Sequence, residues 1–337
     1  MTRSGDRGQN RGGDGGADRR AFRDAIDGAL ALIETHRGGS GGAAPLPVPH
    51  AEARTPVPLP SLLEQCRALI AEVAAEPLPP LRTLHHLACS GGTLFARCLG
   101  ALPNVRLLSE VDPLSEHAHR GEKFFPTDLI GLTKFGTRPP GRAVLLEVFR
   151  AGLAVLCADS RRHGLDLVLR DHAHSHFCFG PALPDRPALR EILAPGWALR
   201  SAVTLRHPLD SYLSMQAHDW LHFDRPTPEE YARRYHAFLD RHADLPWLRY
   251  EDLLADPEAT MQRLCAALDL SYDPGFRQRF AAVRLSGDSG RGGLSIRPRP
   301  QRSCPADLAR AAAKSESFVR LLARLGYAGR ADGPAGG

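Results

Sequence analysis

The stretch that decides the fold is His85-His86-Leu87-Ala88-Cys89-Ser90-Gly91-Gly92-Thr93-Leu94-Phe95. Its start reads as a strand, its Ser-Gly-Gly centre as a tight turn, and Thr93 with Leu94 as the opening of a helix. Two adjacent glycines let the backbone approach a ligand closely, and the free amides of a helix start present the positive end of its dipole to an anion. Ser90 and Thr93 can add hydroxyl donors. An ordinary tight turn capped by Ser or Thr fits the same residues. A nucleotide-kinase loop does not, because G-x-x-x-x-G-K-[ST] needs a lysine for the terminal phosphates and none precedes Thr93.

Outward from this turn, strand and helix patterns alternate. Strands are expected at Thr83 to Ala88, Val105 to Leu108, Leu165 to Arg170, Ser201 to Leu205 and Trp247 to Tyr250. Helices are expected at Thr93 to Leu102, Arg142 to Arg162, Pro208 to Leu221, Pro228 to Arg241 and Pro257 to Leu268. Such alternation implies a three-layer α/β domain, a mainly parallel sheet with helices on both faces. Ligands then bind beyond the carboxyl ends of the strands. We expect this domain to span 61–328, opening with a helix from Leu62 to Ala75. Residues 1–60 read as a disordered segment and Gly/Pro-rich linker with a short helix at 20–36, and residues 329–337 as a disordered tail.

The totals set bounds. With 43% apolar side chains, 337 residues can bury a sizeable core. The formal net charge of +5 without basic runs argues against a nucleic-acid partner and suits a small anionic ligand. The seven cysteines form no C-x-x-C pair, which argues against a disulfide framework and a cysteine zinc site. There is no apolar signal core and no run of bilayer-spanning length, so a cytoplasmic address is expected.

A second anion turn reads from Val203-Thr204-Leu205-Arg206-His207-Pro208 into a helix carrying Ser214. Arg206 stands at the strand end and Ser214 about two helical turns on. Guanidinium and hydroxyl could hold one phosphate between them. A salt bridge from Arg206 is the plainer alternative.

Together the two segments resemble the PAPS-dependent sulfotransferases, where PAPS is 3′-phosphoadenosine 5′-phosphosulfate. The resemblance implies a P-loop NTPase-like sulfotransferase fold. Ser90, Gly91, Gly92, Thr93 and Leu94 would hold the 5′-phosphosulfate, and the Arg206 to Ser214 spacing would hold the 3′-phosphate. Tyr250-Glu251-Asp252-Leu253 is similar to the family's Y-E-D-L segment, which places Tyr250 near the adenine, and Leu321 to Tyr327 resembles its closing helix. The glycine-rich 286–293 stretch occupies the place of a basic loop over the 3′-phosphate, with Arg291 as its candidate. One departure concerns Cys89, because the family usually carries Lys or Arg there to neutralise the bridging oxygen. Arg97 or Arg170 could substitute.

Sulfuryl transfer needs an in-line nucleophile, a base for its proton and cations around the departing oxygen. The transferred group carries less charge than a phosphoryl group, so no metal is expected to be required. Arg170-Asp171-His172 resembles the family's K-T-H triplet, which makes His172 the base and Arg170 a cation at the transferred group. Glu110, after Leu107-Leu108-Ser109, stands where other members carry a glutamate base. His172, His174, His176 and Cys178 alternate. In an extended chain they would share one face, as metal ligands or as a hydrogen-bonded polar strand.

The leading function is therefore sulfuryl transfer from PAPS to a hydroxyl or amine of a small-molecule or carbohydrate acceptor. The segment from Asp112 to Arg138, with Lys123, Phe124 and Phe125, is expected to line the acceptor side. The alternatives are an inactive adenosine-bisphosphate-binding homologue, which Cys89 keeps open, and a P-loop phosphotransferase with Asp171 as a magnesium ligand.

Overall fold

Strand β1, Leu81–His86, is buried at every position, as a central parallel strand covered on both faces should be. It begins two residues earlier than its periodicity predicts, because Leu81 continues the pairing with Leu199. The computed structural model describes residues 61, 63–65, 79–115, 128–285, 295–297 and 302–327. The expected helix at 20–36, the segments 1–60 and 329–337, the 286–293 loop with Arg291, and Lys123, Phe124 and Phe125 lie outside them.

The chain divides into two units, Met1–Ala74 and Ala75–Gly337. In the first, Leu63–Gln65 are helical, entered through a capping box in which Ser61 Oγ accepts from Glu64 N at 3.2 Å and Glu64 accepts from Ser61 N at 2.7 Å.

The second unit holds a five-stranded sheet. After β1 come helix α1, Gly92–Gly100, and strand β2, Val105–Val111. The expected 21-residue helix follows as α2, Arg142–Arg162, then β3, Asp166–Asp171. Next are β4, Leu199–Leu205, helix α3, Pro208–Ala217, and helix α4, Pro228–Arg241. Strand β5, Trp247–Arg249, runs into helix α5, Tyr250–Ala255, and helix α6, Pro257–Leu268. Among the described residues, α7, Glu316–Leu325, is the last helix. Gly326 ends it in the left-handed conformation.

The strand order is β2-β3-β1-β4-β5, and each neighbouring pair is parallel. Alternation sends Leu84, Val168 and Ala202 to one face, where they pack with Phe95 and Leu99 of α1 and Met261, Leu264 and Leu268 of α6. The opposite face carries Leu167 and Leu169 against Leu153 and Cys157 of α2. Val203 and Leu205 pack there with Tyr235, Phe238 and Leu239 of α4. This is the expected α/β architecture, and it turns the carboxyl ends of all five strands to one side of the sheet.

Candidate active site

The first strand-to-helix turn is built on Gly91, the N-cap of α1, at φ 94°. A Cβ there would sit 2.5 Å from the Tyr250 ring, and one on Gly92 would sit 2.2 Å from the His86 ring. Both glycines are therefore required by close approach, and Gly91 by its left-handed backbone as well. Leu94 N already donates to Gly91 O at 2.9 Å, which leaves the amides of Gly92 and Thr93 at the open helix end. Ser90 departs from expectation. Fully buried, its hydroxyl donates to the carbonyls of Leu87 at 2.8 Å and Thr204 at 3.2 Å. It braces the loop against β4 instead of facing a ligand.

The second turn lies beside the first. Arg206 Nη1 donates to Cys89 O at 3.5 Å, and Ser211 Oγ donates to the same carbonyl at 3.4 Å. The Arg206 guanidinium stands 4.8 Å from the Tyr250 ring centroid, so one ring spans Gly91 and Arg206. Arg206 Nε is buried with no protein partner among the described residues. Ser214 is buried on α3 at 2% exposure. His207 caps α3 by accepting from Leu209 N at 3.3 Å. The Glu251 carboxylate accepts from His207 N at 3.0 Å and from Tyr327 OH at 2.8 Å. The Y-E-D-L segment thus fixes the Arg206 turn and ties it to the residue just beyond α7.

Arg170, at the end of β3, connects the loop to β2. Its Nη2 donates to Thr93 Oγ1 at 2.9 Å and pairs with Glu110 Oε1 at 2.7 Å. Its Nη1 donates to Ser109 Oγ at 2.7 Å, and its Nε to His86 Nε2 at 2.9 Å. Since arginine can only donate, His86 is neutral at Nε2, and its Nδ1 proton points to Leu87 O at 3.1 Å. Burial, with Arg170 adding to it, holds the His86 pKa well below the usual histidine value.

Glu110 sits where the β2 register shifts between Leu108 and Val111, at φ 61°. A left-handed glutamate at a bulge is a strained position that re-aims its side chain. Burial raises its pKa, Arg170 opposes the rise and Asp171 adds to it. Its second oxygen lies 3.6 Å from His172 Nε2. His172, Arg170 and Glu110 are therefore in one cluster, joined to the loop through Thr93.

The alternating histidines do not lie on a strand. Residues Ala173–Phe177 form a helical turn, so the extended register that would align all four residues is absent, although the His172 and His174 rings stack with centroids 6.2 Å apart. His174 Nε2 and His222 Nδ1 are 2.9 Å apart, and His176 stacks on Phe177. The turn is fixed by Asp112, which accepts from Arg186 at 2.7 and 3.0 Å and from Ser175 Oγ. Arg97 lies 4.0 Å over the Phe280 ring and donates to the Phe280 carbonyl, whereas Arg170, the other arginine expected to substitute at Cys89, contacts the loop through Thr93. The sequence reading missed His86, Ser109 and Glu251. Ser109 and Glu251 each stand next to a residue that was singled out, and His86 precedes the loop at the strand end.

The molecule is thus an α/β protein with two adjacent strand-to-helix turns and a buried arginine, Arg170, between the first of them and the Glu110 carboxylate. The sulfotransferase family model matches residues 200–274, which contain β4, Arg206, Ser214 and the Y-E-D-L segment. The resemblance read from the sequence is borne out over that segment. None of the curated proteins matches the chain. Among solved structures it is similar to the sulfotransferase domain of the Synechococcus PCC 7002 olefin synthase, at 17% identity over 75% of this chain and 96% of that one, with a TM-score of 0.49. It is also similar to a sulfotransferase domain from the curacin biosynthetic pathway, at 17% identity over 75% and 99% of the two chains, with a TM-score of 0.47.

Proposed function

We propose that the chain transfers a sulfuryl group from PAPS to a hydroxyl or amine of a small-molecule or carbohydrate acceptor. The observation that carries this reading is the meeting of the two anion turns at Cys89, whose carbonyl accepts from Arg206 while Tyr250 spans Arg206 and Gly91. A nucleotide bearing anions at both ends matches such a pair of turns, and Tyr250 offers a ring face for its base. The 3′-phosphate goes to Arg206 and Ser214, with Arg291 as a further candidate cation. The phosphosulfate end goes to the amides of Gly92 and Thr93.

At the reacting end, Arg170 is the cation beside the loop and takes the role that Cys89 cannot fill. Its guanidinium is held by His86, Ser109, Thr93 and Glu110, so it is preorganised for charge that develops on the departing oxygen. His172 accepts the proton of the acceptor hydroxyl or amine, and the imidazolium formed faces Glu110. The raised pKa and strained backbone of Glu110 favour a second reading in which Glu110 itself takes the proton. No metal enters either scheme. The free cysteines among the described residues suit a reducing compartment such as the cytoplasm, and no described helix is long and apolar enough to cross a membrane.

The test is thermal stabilisation by adenosine 3′,5′-bisphosphate compared with ATP plus magnesium, followed by PAPS turnover with an acceptor panel. A ligand at a hundred times its Kd stabilises by ~2.7 kcal/mol, a clear melting shift. Preference for ATP with magnesium would replace this reading by phosphotransfer. Bisphosphate binding without turnover would leave a non-catalytic binding homologue.

A further inference from the structure

On the face of the sheet opposite Arg170, three buried side chains bring ligand atoms together. His85 of β1, Asp171 of β3 and His242 at the C-cap of α4 place His85 Nδ1, one Asp171 oxygen and one His242 nitrogen within 4.8 Å of one another. His85 and His242 are fully buried and Asp171 is 4% exposed. His85 Nδ1 lies 2.7 Å from Asp171 Oδ2, and the two imidazole centroids are 4.4 Å apart.

The remaining ring atoms settle how these groups are oriented. His242 Nδ1 is 2.8 Å from the Phe238 carbonyl, which can only accept, so the ring proton is on Nδ1 and Nε2 presents a lone pair. That Nε2 is buried and has no donor among the described residues. His85 Nε2 is 2.8 Å from Thr83 Oγ1, which in turn is 2.7 Å from Ser201 Oγ. Each histidine thus has one nitrogen held by a neighbour and one directed into the cluster, the arrangement by which second-shell groups orient metal-ligating imidazoles. The buried His242 Nε2 lone pair, close to the His85–Asp171 pair, has no hydrogen-bond partner among the described residues.

We propose that His85 Nδ1, Asp171 and His242 Nε2 bind one divalent transition-metal ion. Two imidazoles and one carboxylate suit Zn²⁺, with Co²⁺ as a spectroscopic substitute, and are unlike the all-oxygen sets of Mg²⁺ or Ca²⁺. Without the ion, His85 Nδ1 and Asp171 share a proton. The ion replaces that proton, His85 carries its remaining one on Nε2 toward Thr83, and Thr83 donates to Ser201. Binding therefore releases a proton. The ion is structural: it ties β1 and β3 to the end of α4 beneath Arg170 and His172, and the assignment does not depend on the sulfuryl-transfer reading.

The experiment uses the full-length, untagged chain expressed in zinc-supplemented medium. Elemental analysis should find about one zinc per chain, and chelator-stripped protein should regain melting temperature when Zn²⁺ alone is added. Co²⁺ added to stripped protein should give visible d–d absorption. His242→Ala and Asp171→Asn should lose the metal, whereas His163→Gln, an exposed histidine, should keep it. Wild-type protein that is metal-free and unmoved in melting by either ion would overturn the proposal, and so would equal zinc content in His242→Ala and wild type. If the variants do not fold, the wild-type zinc and cobalt titrations decide alone.

Discussion

The Glu110 carboxylate stands 2.7 Å from the Arg170 guanidinium, on a residue whose own backbone is left-handed at φ 61°. A non-glycine residue in that conformation costs on the order of 1–3 kcal/mol, and the bulge at the end of β2 holds it there. If Glu110 takes the acceptor proton it must be ionised, and burial has raised its pKa. Activity is then lost as pH falls through a value above the ordinary carboxylate range. In that case Glu110→Gln is inactive at every pH, while His172→Ala keeps the acidic limb. A pH–rate profile of both variants separates the two bases.

With His172 as the base, His172→Ala lowers kcat by about 10²- to 10⁴-fold and leaves bisphosphate affinity unchanged. Single-turnover rates with donor already bound check this. Near-normal turnover would remove His172 from the chemistry.

At the loop, Gly92→Ala drives a methyl group into the His86 ring, 2.2 Å from its nearest carbons. Overpacking of this kind destabilises by about 1–3 kcal/mol. His86 also receives Arg170, so the variant should lose turnover together with melting temperature. Gly91→Ala adds strain at φ 94° and a 2.5 Å clash with Tyr250, and its main effect should be weaker nucleotide binding by calorimetry.

Arg206→Ala should weaken adenosine 3′,5′-bisphosphate about 10- to 100-fold, the worth of a charge-assisted pair. Adenosine 5′-phosphate should bind wild type and variant alike. Equal losses for the two ligands would detach Arg206 from the 3′-phosphate.

Cys89 contributes its carbonyl to Arg206 and Ser211, an interaction that any side chain at this position leaves in place. Cys89→Ser should therefore stay within about tenfold of wild-type turnover. A loss above about a hundredfold, ~2.7 kcal/mol of transition-state stabilisation, would give the thiol a direct role.

The sheet was legible because its strands are short apolar runs between helical patterns, and the bounds of α2, α4 and α6 follow from Arg142, Pro228 and Pro257 at their starts. The two strand-to-helix turns were legible because an adjacent glycine pair and an arginine followed by proline at a strand end are local signals. What escaped the sequence is lateral. The inward turn of Ser90, the four neighbours of Arg170 and the bulge at Glu110 depend on which strands lie side by side, and residue order does not state that. The histidine alternation misled for a related reason: a period of two holds only while the chain stays extended, and Ala173–Phe177 coil into a helical turn.

The end of β3 delivers Arg170, Asp171 and His172 to three different surroundings: the Gly91-Gly92 loop, the interior beneath the sheet and the side of Glu110. Deleting one residue in this strand would send the guanidinium into the protein interior and a carboxylate to the loop, whereas inserting one would send the guanidinium inward and Leu169 to the loop. Evolutionary change in length is therefore barred from the strand itself and confined to the connections before it and after the Ala173–Phe177 turn. Those connections could be reshaped while the phase of these three residues stayed fixed.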